Sequence, residues 1–155
     1  MHRSARHLCV ALVVALAACA SAGRGIDATG APTPALAVER FLHSAKAQDL
    51  QAMSTVWGTS KGPARDVVDR SQLEQRELIM MCYLTHDTFR VLSEGPGLEG
   101  KRSFAVQLQR GPTTRATTIV TVPGPSSRWY VESVALEPLR DLCQGTTPPP
   151  GTIAP

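Results

Sequence analysis

His86 and Asp87 are adjacent residues whose side-chain types could act together as acid and base. An imidazole beside a carboxylate can transfer a proton, and Tyr83, three residues earlier, would add a hydroxyl donor. Neighbours in sequence often point apart, however, and a turn commonly contains aspartate for structural reasons. The sequence favours the structural turn over the catalytic pair, so Tyr83, His86 and Asp87 are weak catalytic candidates.

Other signatures of chemistry are missing from the sequence. It contains no Gly-x-Gly-x-x-Gly, P-loop, His-Glu-x-x-His or Gly-x-Ser-x-Gly motif, and nothing in it calls for a cofactor. The aromatic residues are three Phe, two Tyr and two Trp, too few and too scattered for nucleic-acid stacking. Lone cysteines without clustered histidines do not predict a metal site.

The first 19 residues have the three-part layout of an export signal. A basic start with Arg3 and Arg6 precedes an apolar stretch from Leu8 to Ala18, and Cys19 follows. As a helix this stretch spans only about 16 Å, roughly half of a bilayer's hydrocarbon core, so a membrane-spanning anchor is not predicted. An ordinary secretory signal cut near Ala20-Ser21-Ala22 is one interpretation.

The run Leu16-Ala17-Ala18-Cys19 resembles the lipobox of bacterial lipoproteins. The resemblance implies that residues 1–18 are removed, that Cys19 is acylated, and that it becomes the first residue of the mature chain. The implied partner is a membrane, held through the lipid on Cys19, and the implied location is the bacterial cell envelope. Ala20 is not the aspartate typical of inner-membrane retention, which favours the periplasmic face of the outer membrane if two membranes are present.

Cys82 and Cys143 remain once Cys9 leaves with the signal and Cys19 is acylated. Thiols oxidise in the envelope, so we predict a disulfide between these two cysteines. Two buried free thiols are the alternative.

The mature chain has the length of one domain and almost no net charge. Removing residues 1–18 leaves 137 of 155 residues, with 14 basic and 13 acidic side chains, so no nucleic-acid partner is expected. Small and glycine-bearing residues predict a flexible tether over 19–33, and proline-rich residues predict a disordered tail over 145–155. The folded domain is therefore predicted at 34–144.

The first half of this domain reads as three helices. An irregular stretch is predicted between the second and third, and apolar crowding around Leu78 and Ile79 predicts that the third helix is buried on more than one side. The signals are an N-cap at Thr33-Pro34, a cap at Asp49, a stop at Gly58 and a capping box at Ser71-x-x-Glu74.

The second half changes to the alternating pattern of strands. Apolar or β-branched runs are separated by Gly- and Pro-containing turns, which predicts a four-stranded antiparallel meander. The fold class is α+β, with N-terminal helices packed on a curved antiparallel sheet. The predicted strands are Phe89 to Val91, Phe104 to Leu108, Thr117 to Val122 and Arg128 to Leu136.

This order of elements resembles the nuclear-transport-factor-2-like fold, on the residues from Ala37 to Trp57 and from Arg128 to Glu132. The resemblance implies a cone-like half-barrel whose mouth holds a small molecule, binds a partner or is plugged by side chains. Phe41, Trp57 and Trp129 are the pocket candidates. Members of this superfamily often dimerise through the open sheet face, so a homodimer is one implied arrangement.

Two functions follow as hypotheses. The leading one is a lipid-anchored, non-enzymatic module that binds an envelope protein or a small apolar ligand. The alternative is an envelope isomerase- or dehydratase-like enzyme that uses His86 or Asp87 as base and Tyr83 as donor. The enzyme requires all three side chains to point into one cavity.

Overall fold

The computed structural model describes residues 29–143. The predicted signal peptide, the acylation site Cys19 and the tail at 145–155 lie outside the described residues, as does most of the predicted tether.

Two helices begin where the sequence predicts them. Helix α1 spans Pro34–Ala47 and helix α2 spans Leu50–Val56. The Thr33 hydroxyl oxygen accepts a hydrogen bond from the backbone N–H of Leu36 at 3.3 Å, and the Asp49 carboxylate accepts one from Ala52 at 2.9 Å. Each bond satisfies a backbone donor that the first turn of a helix leaves unpaired.

The segment after α2 is more regular than predicted. Strands β1 (Gly58–Thr59) and β2 (Gly62–Pro63) form a small antiparallel hairpin, and helix α3 (Ala64–Val67) follows. Gly58 starts this hairpin, while Trp57 is the residue that ends α2. A side chain at position 58 would overlap the carbonyl oxygen of Gly62, which explains the glycine.

Helix α4 spans Arg70–Tyr83, and both details predicted for it are wrong. Its N-cap is Asp69, whose carboxylate accepts from the Ser71 N–H at 3.0 Å, so Ser71 lies inside the helix and does not cap it. The prediction that α4 is buried on more than one side is also wrong, because Leu78 and Ile79 are 44% and 42% exposed. The buried residues form a single stripe of Leu73, Glu77, Met80 and Met81.

The four-stranded antiparallel sheet is confirmed. Its strands are β3 (Thr88–Pro96), β4 (Arg102–Arg110), β5 (Thr113–Gly124) and β6 (Arg128–Val134), hydrogen-bonded in that order. The sheet is open and does not close into a barrel. A short helix α5 (Arg140–Cys143) follows it.

One hydrophobic cluster joins the helices to the sheet. Alternate residues of β4 are fully buried in it, as the period of a strand requires. Its members include Val38, Phe41 and Leu42 of α1, Met53 and Val56 of α2, Met80 and Met81 of α4, and Phe104, Val106, Leu108, Ile119 and Val131 of the sheet.

Candidate functional site

The His86 side chain belongs to the interior of the domain. It is 4% exposed, and its ring packs edge-on against Phe89 with centroids 5.7 Å apart. Its Nδ1 lies 2.6 Å from the carbonyl oxygen of Leu84, which can only accept, so Nδ1 carries the hydrogen. Nε2 has no hydrogen-bond partner, and burial lowers the pKa of the imidazole. His86 is therefore a neutral, buried group.

Asp87 is exposed, and its side chain binds the backbone of the β4–β5 turn. Its Oδ2 accepts a hydrogen bond from the backbone N–H of Gly111 at 2.7 Å, and its own N–H donates to the carbonyl oxygen of Gln109 at 2.7 Å. Lys46 also donates to its carbonyl oxygen. Asp87 thus fastens the start of β3 to the turn between β4 and β5.

The structure does not bring the three catalytic candidates together. Tyr83 is half-buried against the hydrophobic cluster, His86 bonds to the loop after α4, and the Asp87 carboxylate bonds to the β4–β5 turn. Glu132 of β6 is engaged elsewhere, because it pairs with Lys101 at 2.8 Å. Proton transfer between these groups has no geometric support.

The three pocket candidates are part of the packing. Phe41 is fully buried in the cluster, and Trp57 and Trp129 are half-buried against it. The backbones of both tryptophans pair with other segments, Trp57 with Val131 and Trp129 with Ala31. All three aromatic residues are therefore packed in or against the hydrophobic cluster.

Two of the surface depressions in the described part of the chain are lined mainly by polar groups. One has a volume of about 170 Å³ and is lined by Thr88, Phe89, Arg90, Gln107 and Gln109. The other has a volume of about 460 Å³ and includes Asp87, Arg110 and Asp141. In the second, Arg110 donates to the Leu142 carbonyl oxygen and Asp141 pairs with Arg115, so its charged groups already have partners.

The sheet surface opposite the cluster, which we call the outer face, is polar and built from small residues. On β4 it consists of the residues that alternate with the buried ones, Ser103, Ala105, Gln107 and Gln109. Their cross-strand partners Val120, Thr118, Ala116 and Thr114 are half-buried or exposed. This face presents hydroxyl and amide groups to its surroundings.

Cys82 and Cys143 lie at disulfide distance, with Cα atoms 4.9 Å apart. They join the last turn of α4 to the end of α5. The carboxyl-terminal end of the described chain is thereby held against α4.

The described residues before α1, 29–33, are part of the fold, although the predicted domain boundary is at residue 34. Gly30 donates its N–H to the Thr55 carbonyl oxygen at 2.8 Å, and Ala31 and Trp129 exchange two backbone hydrogen bonds. Arg40 and Arg128 both donate to the Gly30 carbonyl oxygen, at 3.1 and 2.9 Å. We call residues 29–31 the junction, since they fasten the amino-terminal chain to β6.

Glycine is required at the junction. Gly30 has φ +69°, and a Cβ there would lie 2.9 Å from both the Trp129 carbonyl oxygen and the Tyr130 ring. The sequence predicts that this glycine belongs to a flexible tether. Its pairing with β6 depends on a segment far away in the sequence, which no local pattern indicates.

Glu77 is a buried ionisable residue that the sequence did not single out. It is 3% exposed in the middle of the buried stripe of α4, and its Oε1 has no hydrogen-bond partner. Burial, aided by the negative charge of Glu74, raises the pKa of Glu77 to about 7. Its spacing from Leu73 and Met81, four residues on either side, is the signal that could have placed it on the buried face.

Among residues 29–143, no three metal-ligating side chains cluster. No helix in this range is long and apolar enough to cross a bilayer.

No protein-family model matches the chain, and no curated protein or solved structure matches it significantly.

Proposed function

We propose that this chain is a lipid-anchored lipoprotein of the bacterial cell envelope whose α+β domain is a non-enzymatic binding module. The motif Leu16-Ala17-Ala18-Cys19 after a short apolar segment supports the anchor. A cysteine pair at disulfide distance supports an oxidising compartment. In a cell with two membranes, the periplasmic face of the outer membrane is the proposed location.

The observation that carries the non-enzymatic assignment is the separation of His86 from Asp87. The imidazole bonds inside the domain to the Leu84 carbonyl oxygen, whereas the carboxylate bonds at the surface to the Gly111 N–H. An acid–base pair needs both groups within reach of one substrate atom. The alternative, an isomerase or dehydratase, lacks that arrangement.

The proposed shape is the cone-like half-barrel of the nuclear-transport-factor-2-like fold, with its interior filled by side chains. An open four-stranded sheet after helices supports this shape, and the burial of Phe41 supports the filled interior. A small apolar ligand then has little room. We therefore place the binding of an envelope protein on the outer face, where non-obligate partners commonly meet surfaces of ordinary polarity.

Photo-crosslinking in intact cells tests this proposal. A photoreactive amino acid in place of Ala105, at the centre of the outer face, is expected to give one discrete adduct after illumination. An adduct of twice the monomer mass would identify a second copy as the partner, and any other mass would identify a different envelope protein. The matched control replaces Gln75, an exposed residue of α4, and should give no adduct. Equal adducts at both positions, or none at position 105, would contradict binding at the outer face.

A further inference from the structure

The amino- and carboxyl-terminal ends of the described domain lie at opposite ends of the sheet. The junction pairs with Trp129, whose partner on β5 is Pro123. Near the other terminus, Asp141 pairs with Arg115 of the same strand. Eight residues separate Arg115 from Pro123, which corresponds to about 26 Å along a strand. We call the end of the sheet with the junction the amino-terminal pole.

An exposed leucine projects from this same pole. Leu98 is at the tip of the β3–β4 turn and is 85% exposed, the largest value for a bulky apolar residue in the described range. Arg102, at the base of that turn, pairs with Thr121, so the tip lies level with the end of β5. Strands β4 and β6 are two positions apart in the sheet, which is about 10 Å. Leu98 and the junction therefore share one end of the molecule.

The charged groups at this pole carry a small excess of positive charge. Lys101 pairs with Glu132 at 2.8 Å and Arg102 pairs with Glu94 at 2.7 Å. The β5–β6 turn, Pro125–Ser127, carries no charge, and the β1–β2 turn carries Lys61 alone. Glu99 follows Leu98 at the tip; the pKa of the Lys101 ammonium is raised first by its hydrogen bond to Glu132 and then by the charge of Glu99. Arg40 and Arg128 donate to the Gly30 carbonyl oxygen at the junction and add two cations. The pole therefore combines an exposed leucine with a small excess of positive charge, which favours contact with anionic lipid headgroups.

The chain that leads back to the proposed anchor is short. Thr29 lies ten positions after Cys19, and even fully extended this length of chain spans at most about 36 Å. An acylated Cys19 lies at the bilayer surface, so the junction stays within that distance of the lipid headgroups.

We propose that the amino-terminal pole docks on the bilayer that holds Cys19, with Leu98 inserted into the lipid interface. This inference rests on the proposed lipid anchor. The partner of this pole is a lipid surface, because the highly exposed Leu98 and the junction that leads to the anchor share one end of the molecule. The outer face and the carboxyl-terminal end then remain directed along or away from the membrane.

An environment-sensitive fluorophore on a cysteine at position 98 tests this docking. The acylated full chain carrying Leu98→Cys, labelled with NBD, is placed in phosphatidylethanolamine and phosphatidylglycerol vesicles. Its emission is expected to shift to shorter wavelength, and lipids carrying a nitroxide on the acyl chain should quench it at least twofold. The control is Ile79→Cys, on α4 near the opposite pole, which is 42% exposed and should give water-like emission without quenching.

The possible results distinguish a failure of the membrane docking from a failure of the lipid anchor. Water-like emission at position 98 in a preparation whose mass shows acyl chains would overturn the docking and leave the anchor standing. Equal quenching at positions 98 and 79 would overturn the proposed orientation. A mass without acyl chains would contradict the anchor itself.

Discussion

Replacing Cys82 and Cys143 together by alanine is expected to lower the free energy of unfolding by about 4 kcal/mol. The two residues are 61 positions apart. A cross-link over a loop of this length removes much conformational freedom from the unfolded chain, whereas the alanine variant must lose that freedom on folding. Since small domains are typically stable by about 5–15 kcal/mol, the variant should be close to its limit of stability.

Urea unfolding with and without a thiol reductant measures this effect. Reductant should bring the unfolding midpoint of the native chain close to that of the alanine variant, and should leave the midpoint of the variant unchanged. An unchanged midpoint for the native chain under reductant, with thiol titration showing both cysteines reduced, would contradict the stabilising role of the pair.

The second large effect is a loss of stability with rising pH that depends on Glu77. The pKa of its carboxyl is about 7 in the folded domain, against 4.5 ordinarily, a difference of on the order of 3 kcal/mol. At low pH the carboxyl is protonated in both states, and no penalty arises. As the pH rises from 4.5 through 7, the unfolded chain releases the proton first, so the native state becomes progressively less stable.

Glu77→Gln isolates this contribution, because the amide does not titrate. The advantage in unfolding free energy of this variant over the native chain should grow by about 3 kcal/mol between about pH 4 and pH 8. The comparison is needed because His86 has the opposite effect on stability. Burial lowers the pKa of His86, so this residue makes the folded domain less stable as the pH falls. The control is Glu39→Gln on the exposed side of α1, which should change little. Parallel pH profiles for Glu77→Gln and the native chain would exclude a buried, protonated Glu77.

Local signals in the sequence were sufficient for much of the fold. Thr33 and Asp49 cap helices because their side chains bond to N–H groups three residues ahead, an interaction that needs no distant partner. The four strands follow from alternation between turn-forming residues. The predicted start of α4 is wrong because Asp69 and Ser71 are both residue types that cap helices well. In the structure the Asp69 carboxylate accepts hydrogen bonds from the hydroxyl and the N–H of Ser71, and these bonds lower the pKa of Asp69.

Contacts between segments far apart in the sequence determine which side chains are buried, and local patterns do not predict such contacts. His86 and Asp87 are neighbours in sequence, yet Phe89 packs on one and the β4–β5 turn bonds to the other. Glu77 becomes buried because α4 lies against α2, α3 and α5, an arrangement that no local pattern contains. Leu78 and Ile79 are exposed for the same reason: the sequence shows that they are apolar, but it does not show that no other element packs on their side of α4.

The mass of the mature protein, extracted gently from its own membrane, tests the central claim most directly. We predict a chain that begins at Cys19, carries acyl groups on that residue, and has lost two hydrogens from Cys82 and Cys143. A chain cut beyond Cys19 or still bearing the signal, without acyl groups in either case, would contradict the lipid anchor and the membrane docking that depends on it.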